Sequence, residues 1–256
     1  MSRGARPERG LDAPVRAALG DDLRGTIVLA CSGGPDSVAL ASLLDRLVRE
    51  DAGTLVLAHV NHGTRPSALQ DECVVLSLGA RLGRTVRVAR AAAARDDEAT
   101  LRDARYAALT AIAREAGAPV VVTAHTAEDQ TETVLLALFR GAGLQGAGGM
   151  RERRILAEGL TLARPLLGVE RAELATELRA SGLPYAIDPT NAQERYRRNA
   201  LRRHLRALRA DFPHLDRAIA RFASRARDGR RPDGAEGAID AADDLPAGDR
   251  TGPFLG

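Results

Sequence analysis

The sequence predicts an α/β protein in which a parallel sheet has helices on both faces and is followed by a small helical subdomain. From Thr26 onward, short apolar runs alternate with amphipathic helical patterns. After Arg140 come a glycine-rich connection, one hairpin pattern and then further helical patterns. Strands that alternate with helices form right-handed βαβ units, and their ligands bind at the carboxyl ends of the strands.

Four apolar runs predict the parallel strands, and they are Thr26–Ala30, Leu55–Val60, Thr85–Ala89 and Pro119–Thr123. The later patterns predict a hairpin around Ile155–Leu162 and helices near Val169–Ser181 and Tyr196–Leu208. We therefore divide the chain into a sheet domain (1–165), a helical subdomain (166–228) and an acidic tail (229–256). The tail is rich in glycine, proline, alanine and aspartate and lacks apolar periodicity, which predicts disorder.

The charge distribution favours a polyanionic partner. The net charge is +3, but the tail holds three arginines and six acids, so residues 1–228 carry about +6. The chain contains no lysine, which excludes a Walker-type phosphate loop. Its two cysteines, Cys31 and Cys73, form no CxxC pair, so neither a disulfide framework nor a paired-cysteine metal site is expected. No long apolar run suggests a signal peptide or a membrane partner, and we expect a cytoplasmic protein.

The strongest local signal follows the first predicted strand and reads Ser32-Gly33-Gly34-Pro35-Asp36-Ser37. Glycines let backbone N–H groups turn toward an anion, and the helix that follows adds its positive N-terminal end. Serine hydroxyls can donate to phosphate, whereas Asp36 can hold Mg²⁺ or fix the loop. An ordinary βα turn also uses these residue types. Six matching positions between a strand and a helix favour phosphate binding.

This segment resembles the PP-loop of the N-type ATP pyrophosphatases, a Rossmann-like family that cleaves ATP between its α and β phosphates. The resemblance implies ATP as co-substrate, Mg²⁺, and adenylation of a substrate oxygen by a catalytic domain at 1–165. The loop alone does not separate tRNA-modifying enzymes from NAD, GMP or argininosuccinate synthetases.

Later motifs are similar to those of the tRNA(Ile)-lysidine synthases. They are His59-Val60-Asn61-His62-Gly63-Thr64-Arg65-Pro66 with Asp71-Glu72, Arg102 to Tyr106, and Ala124-His125-Thr126-Ala127-Glu128-Asp129-Gln130-Thr131-Glu132-Thr133. Further matches are Arg140-Gly141, Arg164-Pro165-Leu166-Leu167, Asp188-Pro189-Thr190-Asn191 and Tyr196-Arg197-Arg198-Asn199. For His59 and His62, local hydrogen bonding and a ligand role are equally open.

The resemblance implies a ligase that joins free L-lysine to the wobble cytidine of tRNA(Ile) with a CAU anticodon, through an adenylated cytidine. Asp36, Arg105 and His125 are the implied catalytic residues. On a helix, His125 and Asp129 would share a face, and Asp129 and Glu132 would be neighbours. Those two carboxylates are the implied contacts of the lysine substrate, although residues near a helix N-terminus are often only caps. Glu128 stands where relatives have Asp.

The helix predicted near Tyr196–Leu208 carries the candidate tRNA contacts. Its apolar stripe, Leu201, Leu205, Leu208 and Phe212, would leave Arg198, Arg202, Arg206 and Arg209 on the other side. We interpret Arg198, Arg202 and Arg206 as tRNA-phosphate contacts, and a solvated arginine face is the alternative.

Two other functions stay open at this point. A sulfur-inserting tRNA thiolase uses the same loop, but that class generally requires paired cysteines. The second alternative is a nucleotide-binding protein without turnover. It stays open because relatives carry further C-terminal domains, which the acidic tail does not resemble. The sequence also leaves a homodimer open.

Overall fold

The computed structural model describes residues 10–61, 63, 68–91, 98–186 and 197–227, without the side chains of 98 and 197–199. The described strands are β1 (Thr26–Ala30), β2 (Thr54–Asn61), β3 (Thr85–Arg90), β4 (Val120–Thr123), β5 (Arg153–Ala157) and β6 (Leu160–Ala163). The described α-helices are α1 (Asp12–Leu19), α2 (Pro35–Glu50), α3 (Ala68–Leu82), α4 (Glu98–Glu115), α5 (Ala127–Leu138), α6 (Arg171–Ser181), α7 (Arg197–Asp211) and α8 (Leu215–Arg227).

One six-stranded sheet organises the molecule, in the order β3-β2-β1-β4-β6-β5. All neighbours are parallel except β5, which pairs antiparallel with β6. The four predicted parallel strands are confirmed, and so is the hairpin. The hairpin extends the same sheet because β6 pairs parallel with β4, where Leu162 and Ala163 are buried.

Helices cover both faces of the sheet, as predicted. On one face α1, α2, α3 and α6 enclose a core that includes Leu40, Leu44 and Leu174. On the other face α4 contributes Leu109 and Ile112 against β1, β2, β4 and β6. Burial on both sides explains why the central strands β1 and β4 are almost continuously apolar, whereas the edge strands β3 and β5 carry arginines.

The C-terminal helices depart from the prediction in one respect. Of the expected apolar stripe on α7, only Leu205 is fully buried, whereas Leu208 and Phe212 are 42% and 60% exposed. Two arginines of the opposite side face the protein, since Arg202 pairs with α5 and Arg209 pairs with α8, whereas Arg206 is exposed. Helix α8 had no counterpart in the sequence prediction. Within the described ranges, no helix is both long and apolar enough to cross a membrane.

Candidate active site

A cleft of about 800 Å³ opens at the carboxyl ends of β1 and β4. Strand β2 is the neighbour of β1 on one side and β4 is its neighbour on the other, so the strand order reverses between β1 and β4. Open α/β sheets bind ligands at such points. The polar lining includes Ser32, Asp36, Ser37, Arg105, Thr123, His125, Asp129, Arg171, Arg202, Arg203 and Arg206.

The predicted phosphate loop forms one wall of the cleft. Gly33 adopts a φ of +84°, and a Cβ there would lie 3.1 Å from the carbonyl oxygen of Asp71, so the position favours glycine. The Ser37 hydroxyl donates to the carbonyl of Gly34 at 2.9 Å and lies 3.2 Å from the Ser32 hydroxyl. Helix α2 begins at Pro35, which places its positive N-terminal end at the cleft.

Asp36 lies in the first turn of α2 and lines the cleft. Burial raises the pKa of its carboxyl more than Arg171 lowers it. Within the described ranges, no cluster of three or more His, Cys, Asp or Glu side chains can hold a metal ion. Mg²⁺ needs only one or two protein carboxylates when substrate phosphates supply other ligands, so Asp36 fits that limited role.

Arg105 reaches the cleft from α4 and is half-buried. Burial lowers the pKa of its guanidinium, and the neighbouring charge of Arg102 lowers it further. Among the described residues, no carboxylate pairs with Arg105. The guanidinium is therefore suited to an anion in the cleft.

Behind Arg105, two of the family motifs contact each other. The Arg154 guanidinium lies 4.8 Å from the centre of the Tyr106 ring, and Arg164 and Arg154 are close enough to lower the pKa of the Tyr106 phenol. Arg164 is only 2% exposed and donates to the Arg151 carbonyl at 2.7 Å. Helix α4, which carries Arg105, is thus attached to the β5–β6 hairpin.

His125 lies in the loop between β4 and α5 and faces the cleft. Its Nδ1 is 2.8 Å from the Thr123 hydroxyl. The expectation that His125 and Asp129 share a helix face was wrong, because α5 begins at Ala127 with Thr126 as its N-cap. His125 is nevertheless close enough to Asp129 to lower the pKa of that carboxyl.

Asp129 serves two partners at once. Its Oδ2 accepts from the backbone N–H and the hydroxyl of Thr126, at 3.0 and 3.1 Å, which closes a capping box. Its Oδ1 accepts from Nη2 of Arg171 at 2.7 Å. Burial would raise the pKa of Asp129, but Arg171, the Thr126 N–H and His125 together lower it.

Glu132 is fully buried one turn further along α5. Its Oε1 accepts from Nε of Arg202 at 2.7 Å, and Nη2 of Arg202 lies 3.8 Å from Asp129. Arg202 therefore links the cleft residue Asp129 to Glu132, which is buried behind it and does not line the cleft. Arg206, one turn along α7, is exposed and also lines the cleft.

Arg171 is the principal cleft residue that the sequence reasoning missed. It begins α6, where its backbone N–H donates to Oε1 of Glu128 at 2.9 Å. Its Nε donates to Oδ2 of Asp36 at 2.9 Å. The carboxylates of Asp36 and Asp129 raise the pKa of its guanidinium, despite burial. The only sequence signal was its place shortly after the Arg164 motif.

Other predicted residues lie outside the cleft or outside the described residues. His59 is buried, and its Nδ1 is 2.9 Å from the Cys31 carbonyl, which agrees with local hydrogen bonding for that residue. His62, residues 188–191, the side chain of Arg198 and the tail at 229–256 are outside the described residues.

Comparison with known families supports the interpretation of the loop. A family model described as a PP-loop domain matches residues 9–208. The chain belongs to the PP-loop family. Its PP-loop region accounts for the sheet, the cleft and most of α7.

Curated relatives within this family are named tRNA(Ile)-lysidine synthase. The chain is 46% identical to one from Thermus thermophilus, over 77% of this chain and 38% of that protein. It is 42% identical to the one from Bradyrhizobium sp. (strain BTAi1), over 84% of this chain and 62% of that protein. The chain thus spans about two fifths of the length of the first relative and about three fifths of the length of the second.

A U34-tRNA thiolase from Methanococcus maripaludis, solved with its [4Fe-4S] cluster, resembles the PP-loop chain in structure. The TM-score is 0.70 at 17% identity, covering 86% of this chain and 78% of the thiolase. Identity this low shows a shared fold alone.

Proposed function

We propose that this chain is an ATP-dependent ligase that joins free L-lysine to the wobble cytidine of tRNA(Ile) with a CAU anticodon. The carrying observation is that one cleft is lined by the phosphate loop, by Arg105 and His125, and by the carboxylates of Asp36 and Asp129. The 40–46% identity to proteins named tRNA(Ile)-lysidine synthase supports the same assignment.

In the first step the cytosine 2-oxo oxygen attacks the α-phosphorus of ATP, and pyrophosphate leaves. The loop amides and hydroxyls hold phosphate oxygens at the start of α2. Arg105, which no carboxylate pairs with among the described residues, stabilises negative charge that develops on those oxygens. His125 would lie beside the phosphates, and Asp36 would contribute one carboxylate to Mg²⁺, which would supply charge neutralisation when bound.

In the second step the ε-amine of lysine attacks carbon 2 of the adenylated cytosine, and AMP leaves. Adenylation matters because it converts a poor leaving oxygen into a good one. Asp129 and Glu132 are the proposed contacts of the lysine substrate, since carboxylates bind ammonium groups through charge-assisted hydrogen bonds. Both carboxylates have arginine partners, since Asp129 pairs with Arg171 and Glu132 pairs with Arg202.

The tRNA is proposed to approach from the α7 side of the cleft. Arg206 is exposed there, and the wobble base must leave its anticodon stack to reach the phosphate loop. Arg198 and Arg202 belong to the same proposed set.

The test is incorporation of radiolabelled lysine into a tRNA(Ile) transcript with a CAU anticodon. We expect incorporation only with ATP, accompanied by AMP and pyrophosphate in equal amounts. A transcript with uridine at the wobble position is the control and should accept no lysine. Pyrophosphate release without lysine incorporation under complete conditions would contradict the proposal.

A further inference from the structure

Arg171 bridges two carboxylates that reach the cleft from different elements. Its Nε donates to Asp36 at the start of α2, and its Nη2 donates to Asp129 at the start of α5. The two carboxylates are close enough that Asp129 contributes to raising the pKa of Asp36. A cation is therefore required where they converge, and a side chain of this protein supplies it.

The oxygen that Arg171 contacts is also the one a substrate ammonium would use. Oδ2 of Asp129 is already engaged by Thr126, so Oδ1 is the atom that faces the cleft cations. Arg171 holds that oxygen at 2.7 Å, whereas Arg202 is 3.8 Å away. An ammonium group can form a short ion pair with Oδ1 of Asp129 only if the Arg171 guanidinium moves away from that oxygen.

We propose that Arg171 is a positioning residue that holds the cation position at Asp129 and is displaced from it by the α-ammonium group of free lysine. The inference rests on the proposed function for the identity of the amine. The ε-amine is the attacking group, so the α-ammonium is the cation that remains to bind Asp129, and an uncharged group could not replace the charge that Arg171 withdraws.

The exchange also couples the two small substrates. Arg171 remains anchored through its backbone N–H to Glu128 at 2.9 Å, so its guanidinium stays beside Asp36 and the phosphate loop after it leaves Asp129. Phosphate oxygens of ATP attract that guanidinium. ATP therefore weakens the hold of Arg171 on Asp129 and makes lysine bind more tightly, and by reciprocity lysine makes ATP bind more tightly.

Titration calorimetry with lysine, in the presence and absence of α,β-methylene ATP, tests both statements. In the wild type the nucleotide should tighten lysine binding by about fivefold or more. Arg171→Gln should bind lysine at least about fivefold more tightly than the wild type without nucleotide, and the effect of the nucleotide should disappear. Arg171→Lys keeps a charge but cannot bridge both carboxylates, so intermediate behaviour is expected.

Arg179→Gln is the matched control, because Arg179 is exposed on the same helix and bonds only to Thr176 among the described residues. It should leave both the affinity and the coupling unchanged. Weaker lysine binding in Arg171→Gln, or coupling that persists there, would overturn the inference while leaving the proposed function intact. Absence of lysine binding in every variant, even with nucleotide and tRNA, would overturn both.

A wild-type measurement covers the case in which Arg171→Gln does not fold. An arginine-specific dicarbonyl reagent, followed by peptide mass spectrometry, reports how accessible Arg171 is. Added lysine should speed the modification of Arg171 and leave that of Arg179 unchanged. Slower modification of Arg171 would overturn the inference, because lysine would then bind without displacing it.

Discussion

Arg202 and Glu132, seventy residues apart, form an ion pair that joins α7 to α5 at the wall of the cleft. The Nε–Oε1 distance is 2.7 Å, and the glutamate is fully buried whereas the arginine side chain is 33% exposed. Removing one member of such a pair leaves the other charge without compensation. The pair therefore stabilises the arrangement of the C-terminal helices as well as the electrostatics of the cleft.

Glu132→Gln should lower the free energy of unfolding by about 1–3 kcal/mol. A fully buried pair would lose about 3–5 kcal/mol, but solvent screens the partly exposed arginine. Urea denaturation measures the change. Glu158→Gln, in the exposed hairpin turn, is the control and should change stability by less than about 0.5 kcal/mol. Equal changes in the two variants would show that the pair contributes nothing specific.

Asp36→Ala and Ser37→Ala should each slow pyrophosphate release by about a hundredfold or more, since both groups act at the phosphate loop. Retention of tRNA on a filter should change little. Ser42→Ala lies on the same helix, where its hydroxyl donates to Glu177 away from the cleft, and should retain the wild-type rate. A wild-type rate of pyrophosphate release in Ser37→Ala would show that this hydroxyl of the loop takes no part in the reaction.

Asp129→Asn should raise the apparent KM for lysine more than that for ATP. A hydrogen bond to a charged group contributes about 1.5–3 kcal/mol, which corresponds to roughly a tenfold to hundredfold change for lysine. Steady-state kinetics with each substrate varied in turn measure the difference. Equal effects on both substrates would indicate that Asp129 acts only as the cap of α5.

Arg206→Gln should weaken tRNA binding and flatten its salt dependence. Each phosphate contact contributes about 0.7–0.9 to the slope of log affinity against log salt concentration, so one contact should be lost. Arg202 is a poorer probe because its replacement also breaks the pair with Glu132. Arg221→Gln, exposed on α8, is the control. If the slope of log affinity against log salt concentration is unchanged in Arg206→Gln, Arg206 is exposed to solvent and contacts no tRNA phosphate.

Tyr106 should ionise at a lower pH than an ordinary tyrosine. Burial would raise the pKa of its phenol, but Arg164, Arg154 and Arg102 together lower it. Ultraviolet titration should show one of the three tyrosines ionising early, and Tyr106→Phe should abolish that phase. Stability should rise with pH between this lowered pKa and about 10, because the unfolded state holds the proton longer. Three tyrosines that titrate together would contradict the expectation.

Local patterns were sufficient to predict much of the fold. The strands at Thr26–Ala30 and Thr85–Arg90 follow from short apolar runs, and the phosphate loop follows from a residue order that fits a strand-to-helix turn. Helix α5 shows the limit of this reasoning. The sequence pattern predicts a helix that includes His125, whereas α5 begins at Ala127, because periodicity does not specify which residue becomes the cap.

The sequence by itself determined the α/β fold, the order of its strands and the phosphate loop at the end of the first strand. All of these depend on short-range periodicity and on the rule that parallel strands present their carboxyl ends together. Only the tertiary structure decided that Arg171 and Arg202 neutralise the carboxylates of the cleft wall, Asp129 and Glu132. Arg171 lies 42 residues beyond Asp129, and such a contact depends on how α6 and α7 pack onto the sheet, which no local pattern records.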